Sequence, residues 1–368
     1  MNTKFSIFPY LIIGIGLGGV LSIGYNSWES CSFFDYFVGF YGIFYLLAIP
    51  YSHQLKRLCY TTLLPALLAC LPFVFHQAQH AFSAIFLAII SGYMLNGFHI
   101  HYLKHRWKLH YSTLFYAVWD SWVKLMAIAF FTALCWIILL LTGSLFSLIK
   151  ITFLKAWIDN NSFGIFCVSI FSALGFYLTT KTERVLQQIR GIFLFLFRML
   201  FVPLSAIGII FILSAIGMYF TSQHFSLDHA TLATIAFLSV IFANAVYEDG
   251  KTHRKIPSFI VYQHRIFLIL TPLFTLLALY AIIFHANNNI AANGLTRDNF
   301  ACLLSFSLLL LYNLAYAIIA CRFKKPWMLG VEKINVVLAC IVVATTVIAF
   351  SPLLSYFLPQ ITMVETPQ

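Results

Sequence analysis

Charge is what this chain has least of. Of its 368 residues only 9% are Asp, Glu, Lys or Arg, while 61% are hydrophobic. Soluble domains carry about 25% charged residues. A water-soluble core cannot enclose this much apolar surface, so lipid must solvate part of it. Long polar segments are missing too. The connections between apolar runs reach only about 25 residues, too short for a separate soluble domain. No G-x-S-x-G, Walker loop or H-E-x-x-H occurs, and the eight cysteines contain no C-x-x-C pair. The motif-bearing hydrolases, P-loop enzymes, zincins and dithiol oxidoreductases are thereby set aside. Enzymes without local signatures are not.

What is present is apolar run length. A transmembrane helix needs about 20 predominantly apolar residues. Eleven segments come near that: 7–25, 33–51, 58–75, 81–98, 125–149, 162–179, 200–220, 229–247, 266–284, 300–321 and 334–354. Runs such as "AIAFFTALCWIILLL" are continuous, whereas barrel strands alternate over roughly 10 residues. The first segment carries Lys4 but no small-x-small cleavage site, so it is expected to be an anchor rather than a signal peptide. The expected fold is all-α: a polytopic transmembrane helix bundle of about eleven spans.

The formal net charge of +11 raises the question of nucleic acid. The placement of the bases answers it. With the N-terminus cytoplasmic, 19 of the 22 Lys and Arg fall on the inner side of eleven spans. Only Lys150, Lys155 and Arg297 fall outside. Bases stay inside because they resist translocation and are drawn to anionic lipid. The split predicts a cytoplasmic N-terminus and an external C-terminus. It makes membrane lipids, with their anionic headgroups on the cytoplasmic face, the expected partners, and it leaves nothing for nucleic acid to explain.

Two inner connections, "YSTLFYAVWDSWVK" (111–124) and "VLQQIRGIFLFLFRM" (185–199), mix apolar and charged residues ahead of a full span. Both are expected as amphipathic helices lying in the interface. Asp120 and Lys124 stand at i,i+4, which supports a helix. Arg198 is expected to snorkel to the headgroups, or else to act as a functional charge within the membrane.

Several motifs have a bland reading that serves them better. "GIGLGG" matches G-x-G-x-x-G through Gly14, Gly16 and Gly19, but no βαβ unit surrounds it. Gly14 and Gly18 also form G-x-x-x-G, the small-residue spacing of closely packed membrane helices. His76 and His80 lie outside on the expected topology, whereas His99, His101, His105 and His110 lie inside among Lys104, Arg106 and Lys108. No Cys or carboxylate completes either ligand set, so neither a metal nor a cofactor is expected. Cys31 and Cys302 both fall toward the outer face, which leaves a disulfide between them open. Thr296 reads as a helix N-cap and Arg297 as its neighbour at the headgroups.

Polar residues in the later spans carry more information. The stretch "FANAVYEDGKTHRKIP" (242–257) ends a span in Glu248 and Asp249. Asn244 lies one turn before Glu248 on the same face. Thr271 and Pro272 stand near the cytoplasmic start of the ninth span, and Asn313 lies about 12 Å from the inner end of the tenth. Pro272 frees a backbone carbonyl that something must satisfy. Asn244, Glu248, Asp249, Asn313, Arg198 and Thr271 are therefore the candidate ligand-binding residues, lining a cytoplasm-facing cavity. The competing reading has the asparagines simply holding helices together. No catalytic residue is assigned.

"NAVYEDG" at the end of one span and "NGLTRDNF" opening a later one are accompanied by "SPLL" (351–354) and "AVWDSWVKLMAIAFF" (117–131). In this order and spacing they resemble bacterial membrane proteins carrying domain of unknown function 4153, over about residues 112–358. Members of that family often have an acid after "SPLL"; Ser355 stands there in this chain. The resemblance implies a multi-pass protein of the bacterial inner membrane and no particular chemistry. It divides the chain into a four-span segment, 1–110, and a seven-span segment, 111–368. The function these features favour is transport or translocation of a small solute or lipid, and not an enzyme. The alternatives are a membrane-embedded enzyme acting on a lipid-linked substrate and a non-catalytic scaffold or sensor.

Overall fold

A computed structural model of the chain describes residues 6–27, 33–52, 54–74, 82–106, 108, 110–220, 228–248, 257–284, 297–322, 328 and 330–350. Among them there are helices and no strand. The helices are α1 (Phe8–Ser27), α2 (Phe33–Ala48), α3 (Leu55–Val74), α4 (Phe82–His105), α5 (Tyr111–Leu148) and α6 (Phe153–Ile158). They continue as α7 (Asn161–Lys181), α8 (Glu183–Phe220), α9 (His229–Tyr247), α10 (Ser258–Phe284), α11 (Arg297–Ala320) and α12 (Val331–Ala349). A 3-10 turn, Ile49–Tyr51, closes α2 where Pro50 removes an amide donor.

Eight helices among the described residues are long and apolar enough to cross a membrane. Their outer faces support that role. On α5, Leu134, Ile138, Leu141, Leu145 and Leu148 stand exposed at spacings of three and four residues. Such an apolar stripe is a liability in water and an ordinary surface in lipid. The stretches 111–124 and 185–199, expected as separate interfacial helices, are instead the first turns of α5 and α8. Each runs unbroken into the span that follows, because no Pro or Gly stop stands at either junction.

The chain folds as two compact units. One comprises residues 1–80 and 88–190, the other residues 81–87 and 191–368. The boundary drawn at 110/111 thus falls inside the first unit.

In the first unit α1 packs closely against α7. A Cβ at Gly14 would lie 2.5 Å from Ala173 Cβ, and one at Gly18 would lie 3.0 Å from Ser169 Cβ. Gly16 and Gly19 have nothing within 4 Å. The glycines of the G-x-x-x-G spacing are the ones used for close approach, through van der Waals contact that larger residues would forbid. The i,i+4 pair expected on α5 is not formed. Asp120 binds Arg190, and Lys124 donates to the Tyr51 hydroxyl at 2.9 Å.

The second unit is built around Phe201, Phe242, Phe267, Phe274 and Tyr316, with α10 packed on both α9 and α11. Asp228 opens α9 as its N-cap, accepting from the N–H groups of Ala230 at 3.2 Å and Thr231 at 3.1 Å. The Thr231 hydroxyl and those two amides hold the Asp228 carboxyl below the ordinary carboxylate range. Cys302 is among the free cysteines, while Cys31, His76, His80 and Thr296 lie outside the described residues.

Replacing Gly14 by Val forces a branched side chain into Ala173 and is expected to destabilise the protein by about 1–3 kcal/mol. Gly16→Val, into open space, is expected to change little. Thermal unfolding of both variants in the same detergent checks this. Equal losses would show that helix propensity, and not the α1–α7 approach, sets the effect.

Candidate functional site

The second unit collects polar side chains that the surrounding apolar helices cannot satisfy with water. Asn244 sits on α9, one turn from its C-terminus. Its Oδ1 accepts from Asn335 Nδ2 of α12 at 2.7 Å and lies 2.9 Å from the Tyr316 hydroxyl of α11. Its Nδ2 donates to Val240 O at 2.9 Å. The Tyr316 hydroxyl is also 2.8 Å from Asn335 Oδ1. A phenol carries one proton, so two acceptors compete for it. Three helices are thereby joined through one triangle of amides and a hydroxyl, with two hydrogen-bond arrangements of similar geometry.

One turn beyond Asn244, Glu248 ends α9. It is buried, and its Oε1 lies 3.4 Å from an Arg198 guanidinium nitrogen on α8. Arg198 is therefore a partner of Glu248. It is not a headgroup-level side chain reaching away from the protein, since its side chain is only 13% exposed. The backbone at Glu248 adopts φ 47, ψ −108. Non-glycine residues rarely enter that region, at roughly 1–3 kcal/mol. At this turn its own N–H still bonds Asn244 O at 2.9 Å. Asp249 lies outside the described residues, as do Lys251, Arg254 and Lys255.

Asn313 does not reach this triangle directly. Its Nδ2 donates to Thr275 Oγ1 of α10 and to Leu309 O, both at 3.1 Å, and its Oδ1 is buried without a hydrogen-bond partner. Tyr316, nearly one turn further along α11, is the residue that meets Asn244. Thr271 has a backbone task. Pro272 deprives the carbonyl four residues earlier of its usual donor, and Leu268 O accepts from the Thr271 hydroxyl at 2.8 Å instead. The carbonyl freed by Pro272 is thus satisfied from within α10.

Three further residues complete the surroundings. The buried His264 ring meets the Tyr247 hydroxyl at 3.3 Å through Nδ1 and lies tilted against Phe201 with ring centroids 4.3 Å apart, while its Nε2 has no hydrogen-bond partner. Gln263 Nε2 donates to Val202 O at 2.7 Å and to Ser205 Oγ at 2.8 Å, beside Pro203 in α8. Arg265 donates to the carbonyls of Ala320 and Arg322, closing the end of α11. Tyr316, Asn335, Thr275 and His264 escaped the sequence reading. Asn335 was visible as an amide inside the last apolar run, and Tyr316 as the hydroxyl three positions after Asn313.

No group of three or more His, Cys, Asp and Glu able to hold a metal occurs among the described residues. The arrangement offers instead amide and hydroxyl donors and acceptors beside an ion pair. Such groups are able to hydrogen-bond a polar or zwitterionic molecule. No family model, curated protein or solved structure matches this chain.

Breaking a buried ion pair from one side leaves the other charge stranded, at about 3–5 kcal/mol, whereas replacing both partners by apolar residues is often neutral. Glu248→Met alone is expected to lower stability strongly, and Arg198→Met with Glu248→Met to restore most of it. A double-mutant cycle on thermal or denaturant unfolding reads this directly. Strictly additive losses would mean the two groups do not interact.

Proposed function

We propose that this protein moves a small polar solute or a lipid across a bacterial inner membrane. The cytoplasmic half of the second unit would be its binding route. The observation that carries the reading is the triangle of Asn244, Tyr316 and Asn335, closed at 2.7–2.9 Å between three apolar helices. Hydrogen bonds that only glue membrane helices contribute about 0.6 kcal/mol on average. A network with two competing arrangements is better suited to opening. A solute that supplies the missing donor to one acceptor can replace a helix-to-helix bond without stranding a buried group. Glu248 and Arg198 would stand at the mouth of this route, holding α9 to α8 until a charged or polar group displaces one of them.

The proposal includes eleven spans, a cytoplasmic N-terminus and an external C-terminus. It also includes membership of the family resembled over residues 112–358. The length of α5 and α8 bears on the membrane's edges. At 38 residues each, they extend about 57 Å, more than the roughly 40–45 Å of a whole bilayer. The first turns of α8, with the exposed Arg184, would then stand among the cytoplasmic headgroups and contribute to anionic lipid binding.

A second reading, an enzyme working on a lipid-linked substrate at the cytoplasmic face, is favoured by one feature. Backbone strain gathers at functional residues, and Glu248 carries it together with a buried charge.

Reporter fusions after residues 78, 225 and 360 are expected to report the external side. A cytoplasmic signal at 360 would reject the odd number of spans.

Accessibility tests the route itself. In a chain cleared of native cysteines, Asn244→Cys and Asn313→Cys are expected to react with an impermeant maleimide added to inverted vesicles. Neither is expected to react in right-side-out ones. A site that stays unlabelled from both sides would mean a sealed core and would favour the scaffold reading.

A further inference from the structure

The bases of the first unit are compensated in an unusual way. Arg57 lies over the Tyr102 ring, Lys181 over Tyr177 and Arg190 over Tyr116. Lys104 and Lys124 share a single ring, Tyr51, at 4.2 and 5.1 Å from its centroid. Arg190 also has Asp120, in the one ion pair of this unit among its described residues. Lys124 has no such help. The acid one turn before it is the same Asp120, already engaged by Arg190.

Lys124 is also the most deeply placed of these bases, at 6% exposed. An ammonium carries three donors. One goes to the Tyr51 hydroxyl at 2.9 Å, with the ammonium 5.1 Å from the ring centroid. A neutral hydroxyl does not neutralise a buried charge, whose transfer from water is unfavourable. The other two donors can meet the oxygens of an anion. Lys104, the second cation over the same ring, is exposed, and Tyr51 itself is half-buried. The Tyr51 ring therefore leads from an exposed cation to a buried one. An anion that reaches both ammonium groups offsets their like charges and accepts from their N–H groups.

We propose that Lys104, Lys124 and Tyr51 form a binding site for a phosphate-bearing anion. The ligand is the headgroup of an anionic phospholipid or free phosphate, which present the same oxygens to the two ammonium groups. Tyr51 fixes the buried ammonium by its hydroxyl, and Lys104 captures the anion at the surface. The site lies in the first unit and stands independently of the polar triangle in the second.

Native mass spectrometry of the full chain in detergent tests this, with titrations of phosphatidylglycerol, phosphatidylcholine and inorganic phosphate. The wild type is expected to prefer phosphatidylglycerol or to bind phosphate. Each of Lys104→Gln and Lys124→Met is expected to weaken that binding about fivefold, the effect of one surface lysine on anionic lipid. Lys124→Met places a flexible apolar chain in a buried position and is expected to keep or raise the unfolding temperature in phosphatidylcholine. Should it fail to fold, Lys104→Gln, at an exposed position, carries the test alone. If millimolar phosphate binds and displaces phosphatidylglycerol, the site takes free phosphate. If phosphatidylglycerol resists displacement, it takes the lipid. Equal binding of the two lipids with no phosphate binding would overturn the proposal, and so would an anion preference unchanged in the lysine variants.

Discussion

Hydrocarbon offers no hydrogen bonds. Inside it every backbone amide and every polar side chain must find its partner within the protein, and that requirement organises this molecule. It accounts for an all-helical chain, since helices satisfy their own backbone. It accounts for the many Ser and Thr hydroxyls that bond back to a carbonyl of their own helix, as Thr62, Ser239 and Thr346 do. It also accounts for Thr271, whose hydroxyl occupies the Leu268 carbonyl that Pro272 would otherwise leave bare. The same constraint makes the exceptions informative. Asn313 keeps an unpartnered buried oxygen, and His264 keeps an unpartnered buried ring nitrogen.

The two units meet the constraint differently. In the second, charge is matched by charge: Glu248 with Arg198, next to a triangle of neutral groups on α9, α11 and α12. Asn244 of the triangle and Glu248 of the ion pair stand one turn apart at the end of α9, where Glu248 adopts a positive φ and its amide still bonds Asn244 O. In the first unit, bases are matched mostly by tyrosine rings, which attract a cation without neutralising it. That unit therefore retains positive charge at the edge of its helices, where an anion can still be received.

Small residues set how closely the helices can approach. Gly14 and Gly18 let α1 lie against α7, and Gly208 accepts the Phe267 ring in the core of the second unit. These contacts fix the helix faces and so determine which polar groups meet. Asn313 falls opposite Thr275, and Tyr316, nearly a turn later, falls opposite Asn244.

The sequence by itself determined the elements. Apolar run length and the scarcity of charge define helices that lipid can surround: each of the eleven apolar segments overlaps a helix, and eight helices among the described residues are long and apolar enough to cross a membrane. The G-x-x-x-G spacing identified the close-packed face of α1, because that contact depends only on residue size at a fixed helical interval. The polar positions Asn244, Glu248, Arg198 and Asn313 were also legible, since an amide or a charge in an apolar run stands out without any knowledge of its partner. Their partners were not. Whether Glu248 meets a neighbouring loop base or Arg198, fifty residues earlier, depends on where α8 passes α9. Whether Lys124 meets Asp120 or Tyr51 depends on which helix faces it across the unit. Period and composition specify the faces of a helix, but the choice among facing helices is made by packing over long sequence separations, and only the tertiary structure decides it.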